Sequence, residues 1–375
     1  MAAGLNAPGP EERASAVALA MASGVSHSRR TALLQRFGSA SGALAAPLAF
    51  LRTCPGMSLA CATAIKATST AEGARILKQV ESHGGTALLP GDAHYPALLT
   101  DIPEPPGVLF ALGRLEFLAL PAVAVVGSRD HSAYGAEACR EVVAAAASAG
   151  LAVVSGMARG LDAVAHLAAL DLDTPTIGIL GNGFGVVYPA ANRRLYERMR
   201  GAGLLLTEFP PGERPGPGSF QRRNRLISGL ARVTVVVEAA AGSGTLITVE
   251  AALAQGRDVM AVPGPITSHT SIGTNRLLRD GATPFLEREN LLDLFPGTSR
   301  NRMEGPAPAP AGDVPRAALS GAEARVYAAI GRMPRHLDGL AESLGLGAAE
   351  LLATLATLEL SGHVRQEPGR QFVRI

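Results

Sequence analysis

Between residues 122 and 281 one pattern repeats: a short aliphatic or β-branched run, a turn that usually carries glycine, then a stretch with helical spacing. The runs read AVAVVG, LAVVSG, TIGILG, LLLTEF, VTVVVE and DVMAVPG, and the helical stretches cover 132–150, 161–170, 192–201, 245–256 and 274–281. The runs are apolar throughout instead of alternating, so both faces of each strand must be covered. Alternation with helices therefore predicts an α/β fold with a doubly wound parallel sheet. In such a sheet every strand-to-helix turn lies on one carboxyl edge, where ligands bind. Five glycine-bearing turns fall there: Gly127-Ser128-Arg129, Ser155-Gly156-Met157-Ala158-Arg159-Gly160, Gly181-Asn182-Gly183, Gly242-Ser243-Gly244-Thr245 and Pro263-Gly264-Pro265. Tight turns alone account for some of these glycines, but not for the arginines that accompany three of the loops.

The stretch 220–248, FQRRNRLISGLARVTVVVEAAAGSGTLIT, compresses the pattern into helix, buried strand, glycine loop and helix. Backbone N–H groups of such a loop, the dipole of the following helix and guanidinium forks all suit an anion. Arg222, Arg223 and Arg225 flank Asn224, and between residues 193 and 232 there are nine arginines against Glu197, Glu208 and Glu213. The chain as a whole carries a formal charge of only +2 over 375 residues, so a polyanion ligand must be argued from where charges sit and not from their sum. A solvated helix face is the competing account of the cluster.

With 47% hydrophobic residues the chain can bury a sizeable core in two or three domains. It lacks both an apolar run of about 18 residues and a basic-then-apolar N-terminus, so the reading is a soluble, cytoplasmic protein. Cys54, Cys61 and Cys139 are odd in number and have no histidine pairs nearby, which predicts small core residues, no disulfide framework and no metal site. Residues 1–84 read as a small helical domain of short helices separated by glycine. Within it, 51–65 has helix-hairpin-helix form about Pro55-Gly56-Met57-Ser58, with packing or protein contact favoured over DNA contact because Ser58 replaces a second glycine and basic residues are few. Residues 86–121 hold a short strand, TALL, and a proline-rich lead-in expected to pad the sheet edge.

Enzyme readings fit poorly. The first turn, GSRDHSAYG, is not G-x-G-x-x-G, and no acidic residue closes the second strand, which disfavours a dinucleotide cofactor. There is no G-x-x-x-x-G-K-[ST], Lys66 and Lys78 are the only lysines, and no acidic pair ends a strand to hold magnesium, which disfavours ATP hydrolysis. Ser155 and Ser243 have no evident base, since His166 lies on the helix after Asp162 with the spacing of a packing residue. No cofactor is expected.

In order and spacing, VAVVGSRDHSAYG, VVSGMARGLDAVAH, GILGNGFGVVYPAANRRL, LLTEFPPG, FQRRNRLISGL, VVVEAAAGSGTLIT, AVPGPI and GTNRLLRDGA resemble the DNA-processing protein A (DprA/Smf) family over about 85–295. The resemblance implies an extended Rossmann-like domain at 85–297 that binds single-stranded DNA. It implies protection of incoming strands in natural transformation (competence), help in loading the RecA recombinase, homodimers and no catalytic step. A single-strand-binding protein is a further candidate partner. It also implies a basic pocket lined by Arg129 and by a position after Tyr188, Pro189 and Asn192, with Arg193 and Arg194 both open as that position, while Arg159 stands in the family's loop despite Met157 and Leu161. The DNA-binding residues expected are Gly127, Ser128, Arg129, Ser155, Gly156, Arg159, Gly160, Asn192, Arg193, Arg194, Phe220, Arg222, Arg223, Asn224, Arg225, Gly242, Ser243, Gly244 and Thr245. Arg129, Arg159 and the 222–225 cluster are expected to form one phosphate surface continuous with 242–245. Phe184, Tyr188 and Phe220 are the candidates for base stacking. The runner-up is a nucleoside-monophosphate phosphoribohydrolase of the same broad superfamily, disfavoured because glutamates do not follow the GSGT turn and Glu250 comes too late on the helix.

A linker rich in proline and alanine is expected at 298–315, then a winged helix at 316–375. Its first helix is opened by Ser320 with Glu323 as a capping box, helices follow at 336–344 and 348–361, and HVRQEPGRQFVRI closes as strand, turn and strand. It resembles the C-terminal domain of some DprA members. Its third helix carries Glu350 and Glu359 and no basic residue, so it is expected not to read DNA sequence.

Overall fold

The computed structural model describes residues 9–296, 321–331, 335–367 and 369–374; the expected linker at 298–315 and the Ser320 cap lie outside them. The chain separates into two compact units, Met1–Arg302 and Met303–Ile375.

Nine strands form the sheet of the first unit: β1 (Thr86–Leu88), β2 (Leu109–Gly113), β3 (Ala122–Val126), β4 (Ala152–Ser155), β5 (Thr176–Ile179), β6 (Leu204–Thr207), β7 (Val233–Val236), β8 (Asp258–Ala261) and β9 (Thr283–Pro284). Their order is β1-β2-β6-β5-β4-β3-β7-β8-β9. From β6 to β9 all pairs are parallel, as expected for strands separated by helices. The proline-rich lead-in does more than pad the edge. Its β2 joins β6 antiparallel, with Phe110 opposite Thr207, and β1 adds outside it. β3 starts the parallel part; the chain builds outward to β6 on one side and then returns to lay β7 against β3 on the other. That reversal makes the β3/β7 junction the topological switch point.

The alternation within β3 shows why the strands are wholly apolar. Ala122, Ala124 and Val126 face a layer containing Leu226, Ile227 and Val249, while Val123 and Val125 face one containing Cys139, Val142 and Ala165. The first layer comes from α10 (Ser219–Gly229) and α11 (Thr245–Ala254), the second from α7 (Ala133–Ser148) and α8 (Leu161–Asp171). Each fully buried aliphatic side chain contributes about 1.5–3 kcal/mol. All three cysteines are buried and free.

Among the described residues six helices precede the sheet: α1 (Pro10–Met21), α2 (His27–Phe37), α3 (Ala40–Ala45), α4 (Leu48–Leu51), α5 (Leu59–Ala67) and α6 (Thr70–Ser82). They have a small core of their own around Leu19, Leu33, Leu51 and Ile65. Val17 of α1 and Ile76 and Val80 of α6 pack instead into the layer of Phe110 and Leu205, so the helical segment and the sheet share one interior. The turn at Pro55-Gly56-Met57-Ser58 joins α4 to α5; Ser58 caps α5 by accepting from the Cys61 N–H, and the Gly56 carbonyl accepts from Arg29.

In the second unit α14 (Gly321–Ala329), α15 (Leu337–Leu344) and α16 (Ala348–Leu360) pack with a three-stranded sheet in which β12 (Gln371–Arg374) lies between β10 (Arg335–His336) and β11 (Val364–Glu367). Leu351, Leu355 and Leu358 turn one face of α16 into that core, and Glu350 and Glu359 stay exposed. Among the described residues between α7 and α14 the remaining α-helices are α9 (Arg193–Ala202), α12 (Ile272–Arg279) and α13 (Arg288–Leu292). Among the described residues no single helix is long and apolar enough to cross a membrane.

Candidate nucleic-acid interface

At the switch point a groove of about 540 Å³ opens between the turns that follow β3 and β7, with α10 along one wall. Gly127, Ser128 and Arg129 line it from the β3 side; Gly242, Ser243, Gly244 and Thr245 from the β7 side; Phe220, Arg223 and Asn224 from α10. Chain order predicted this meeting.

The helical period then divides the arginine cluster. Residues three and four apart share a face, so Phe220, Arg223, Asn224 and Ile227 look into the groove. Arg225 turns elsewhere: its Nη2 donates to both oxygens of Glu208 at 2.5 Å and its Nη1 to the Glu104 carbonyl. Arg222 lies 3.6 Å from the same carboxylate and 5.2 Å above the Phe209 ring. Glu208 is only 4% exposed, so these cations are needed to offset a buried charge. The expected single surface is thus corrected: Arg222 and Arg225 brace the sheet edge, while Arg223 and Asn224 reach the groove.

Arg223 is itself buried. Its Nη1 donates to the Ile179 carbonyl at 3.2 Å, and its Nε has no partner among the described residues. Burial lowers its pKa to about 10 against the opposing pull of Asp162, leaving it charged at neutral pH. Burial pushes the Asp162 carboxyl up, and Arg223 draws it back down. Gly156 sits between the two: a Cβ there would overlap the Arg223 guanidinium and come within 2.6 Å of the Asp162 carboxylate. Asp162, which lines the groove, and Gln221 were missed by the sequence reading; the helical spacing from Phe220 points only to 223, 224 and 227.

Arg129 is exposed, makes no ion pair among the described residues, and holds its guanidinium 5.8 Å from the centre of the Phe220 ring. Arg159 is exposed too, but pairs with Asp130 at 3.0 Å. Gly160, at φ +80°, presses against the Ser128 carbonyl and Arg129 Cα where no side chain fits, fixing one loop on the other. Ser243 accepts from the Thr245 N–H at 3.3 Å, ordering the first turn of α11.

Several expected contacts serve the scaffold instead. Ser155 is fully buried and donates to the Val125 carbonyl at 2.7 Å, so it cannot reach a ligand. Asn192 donates from Nδ2 to the carbonyls of Met157 and Ala158, both at 3.0 Å, and holds the loop that carries Arg159. Arg193 and Arg194 project from the first turn of α9, exposed and without ion pairs among the described residues, outside the groove lining. Phe184 is wholly buried, which removes it as a stacking surface. The Pro263-Gly264-Pro265 turn is held by Asn275, whose amide bonds both ways with Gly264, and stays out of the groove. His166 packs as expected: Nδ1 shares a hydrogen bond with the Thr176 hydroxyl at 2.7 Å, and burial lowers its pKa to about 3.

Fold and groove define an α/β protein of Rossmann-like topology with cationic and backbone donors gathered at its switch point. Residues 86–296 match the family model of the DNA recombination-mediator protein A, and residues 306–370 match that of the DprA winged helix domain. The chain belongs to the DNA recombination-mediator protein A family. Protein Smf of Escherichia coli is 38% identical over 297 residues, covering 77% of each chain. The X-ray structure of DNA processing protein A from Streptococcus pneumoniae superposes with a TM-score of 0.66 at 33% identity, covering 75% of this chain and 97% of that one. A structure describing the single-stranded DNA binding mode of the Helicobacter pylori protein superposes at 0.51 and 27% identity, covering 56% and 94%.

Proposed function

We propose that the switch-point groove binds the sugar-phosphate backbone of single-stranded DNA and that no bond is made or broken there. The observation that carries this reading is the pairing of two cations in one groove, Arg223 buried in its wall and Arg129 exposed at its rim without an ion pair among the described residues, opposite the first turn of α11. The carboxylates lining the groove are Asp130, paired with Arg159, and Asp162, facing Arg223. Glu238 is occupied by the Ser132 and Thr270 hydroxyls, and Glu250 is exposed on α11, which speaks against the hydrolase reading. That the H. pylori relative is described as binding single-stranded DNA favours the same ligand here.

Family membership further supports a cytoplasmic mediator that protects incoming strands in transformation, works as a homodimer, and hands DNA to RecA, with a single-strand-binding protein as a further partner. A strict monomer by light scattering at micromolar concentration, with and without DNA, would remove the dimer. Titration of the full chain with labelled single- and double-stranded oligonucleotides at several salt concentrations tests the groove. Contact with about four phosphates gives a slope of log affinity against log salt near −3 for single strands. Equal, weak binding of both forms would overturn the reading.

A further inference from the structure

In the second unit α16 holds the place of the helix that a winged helix lays in a DNA groove, but its outward face is not built to read DNA. The helix is apolar on both sides. Leu351, Leu355 and Leu358 point into the core of the unit, while Leu352 is 45% exposed and Leu360 91% exposed. Ala349, Ala353, Ala356 and Leu360 run down the exposed side at helical spacing, with Leu352 beside them. The two hydroxyls of the helix are spent on its own backbone: Thr354 donates to the Glu350 carbonyl at 2.9 Å and Thr357 to the Ala353 carbonyl at 3.1 Å. No other side chain of α16 carries a hydrogen-bond donor. Its charges are Glu350 and Glu359, about two and a half turns apart and therefore on opposite flanks of the exposed strip.

We infer that this face is a docking site for a protein helix of complementary pattern: about three turns long, apolar along one side, with an arginine or lysine on each flank at opposite ends. An exposed apolar strip at helical spacing is the kind of surface that an amphipathic partner helix covers, and charge decides which partner. Glu350 and Glu359 repel a phosphate backbone and an anionic lipid surface alike. They also oppose a second copy of α16, because either two-fold arrangement, parallel or antiparallel, gathers two carboxylates at each end of the strip and brings a cation to neither. The exposed charges of α15, Asp338 and Glu342, have the same sign, and the exposed Arg325, Arg365 and Arg370 lie off α16, on α14, β11 and the turn after β11. Glu359 accepts from the Gln366 N–H at 3.0 Å, which fixes its carboxylate against β11. A basic partner meets both carboxylates while its apolar side covers Leu352 and Leu360.

The test titrates the full chain with two labelled synthetic helical peptides of one length, both carrying leucine and alanine at the spacing of the exposed strip. They differ only in the two flanking residues, lysine in one and glutamate in the other. The wild type is expected to bind the lysine peptide more tightly, by roughly two- to thirtyfold. Glu350→Lys, which leaves Glu359 on the Gln366 N–H, narrows that preference, and adding Glu359→Lys reverses it. Leu360→Gln weakens the lysine peptide by roughly tenfold or more and leaves Tm unchanged, since the side chain is exposed; Leu352→Gln weakens it in the same direction. Saturating the protein with oligothymidylate does not compete. Equal binding of the two peptides by the wild type, binding of neither, or binding that Leu360→Gln leaves unchanged overturns the assignment. Three further results would give the face to another occupant and overturn it as well: binding of a duplex oligonucleotide that fell on Leu360→Gln, binding of phosphatidylglycerol vesicles that did so, or a mass in solution that did so.

Discussion

Arg129, in the turn after β3, and Arg225, on α10, separate a binding role from a bracing one. Arg129→Ala removes an exposed cation that makes no ion pair among the described residues, so folding is expected to change by no more than about 0.5 kcal/mol. If Arg129 neutralises one phosphate, the salt slope flattens by about 0.7, and the affinities of wild type and variant diverge about fivefold for each tenfold fall in salt. Arg225→Ala does the reverse. It strips Glu208, 4% exposed, of a partner at 2.5 Å and leaves Arg222 at 3.6 Å as its one ion pair among the described residues. Breaking a buried pair on one side costs on the order of 3 kcal/mol, the lower end of the usual range because Arg222 remains. At about 2–4 °C per kcal/mol for a domain of this size, Tm falls by roughly 6–12 °C. The salt slope stays within error. Fluorescence anisotropy at four salt concentrations and thermal melts on the same two variants read both quantities. A lowered Tm with unchanged slope for Arg129→Ala, or a flattened slope with unchanged Tm for Arg225→Ala, would refute the division of roles.

His166 is neutral and buried in the fold with a pKa near 3, against an ordinary value of 6.5, so the unfolded chain binds a proton that the native one refuses. Its contribution is complete above pH 6.5 and is lost as pH falls from there towards 3, at up to about 1.4 kcal/mol per unit; urea unfolding at pH 7 and pH 5 should show a smaller loss for His166→Gln than for wild type, and identical losses would contradict the burial argument. Because α16 shows no basic side chain to solvent, deletion of residues 316–375 should leave single-strand affinity within a few-fold, and a hundredfold loss would overturn that expectation.

The sequence alone determined the sheet and its carboxyl edge. Runs such as AVAVVG and VTVVV are apolar on both faces, which only a strand covered by helices on two sides satisfies, and the turns after β3, β4 and β7 were bound to share one edge whatever the side chains did. The three winged-helix helices and the packing role of His166 were legible for the same reason: period and apolarity act locally along the chain. What the tertiary structure decided was which donors in a contiguous string face the ligand. RRNR reads as one basic patch, yet the helical rotation sends Arg223 and Asn224 to the groove and Arg222 and Arg225 to Glu208, a residue fourteen positions and more away in sequence. Ser155 and Asn192 were drawn off in the same way by the Val125, Met157 and Ala158 carbonyls, and Phe184 by the core. The antiparallel β2 was hidden among prolines because its partner, β6, lies some ninety residues on. Periodicity is a property of neighbours in the chain, but the demand of a buried carboxylate for a cation, or of a carbonyl for a donor, is met by whatever the fold brings within about 3 Å, and only the folded chain sets that distance.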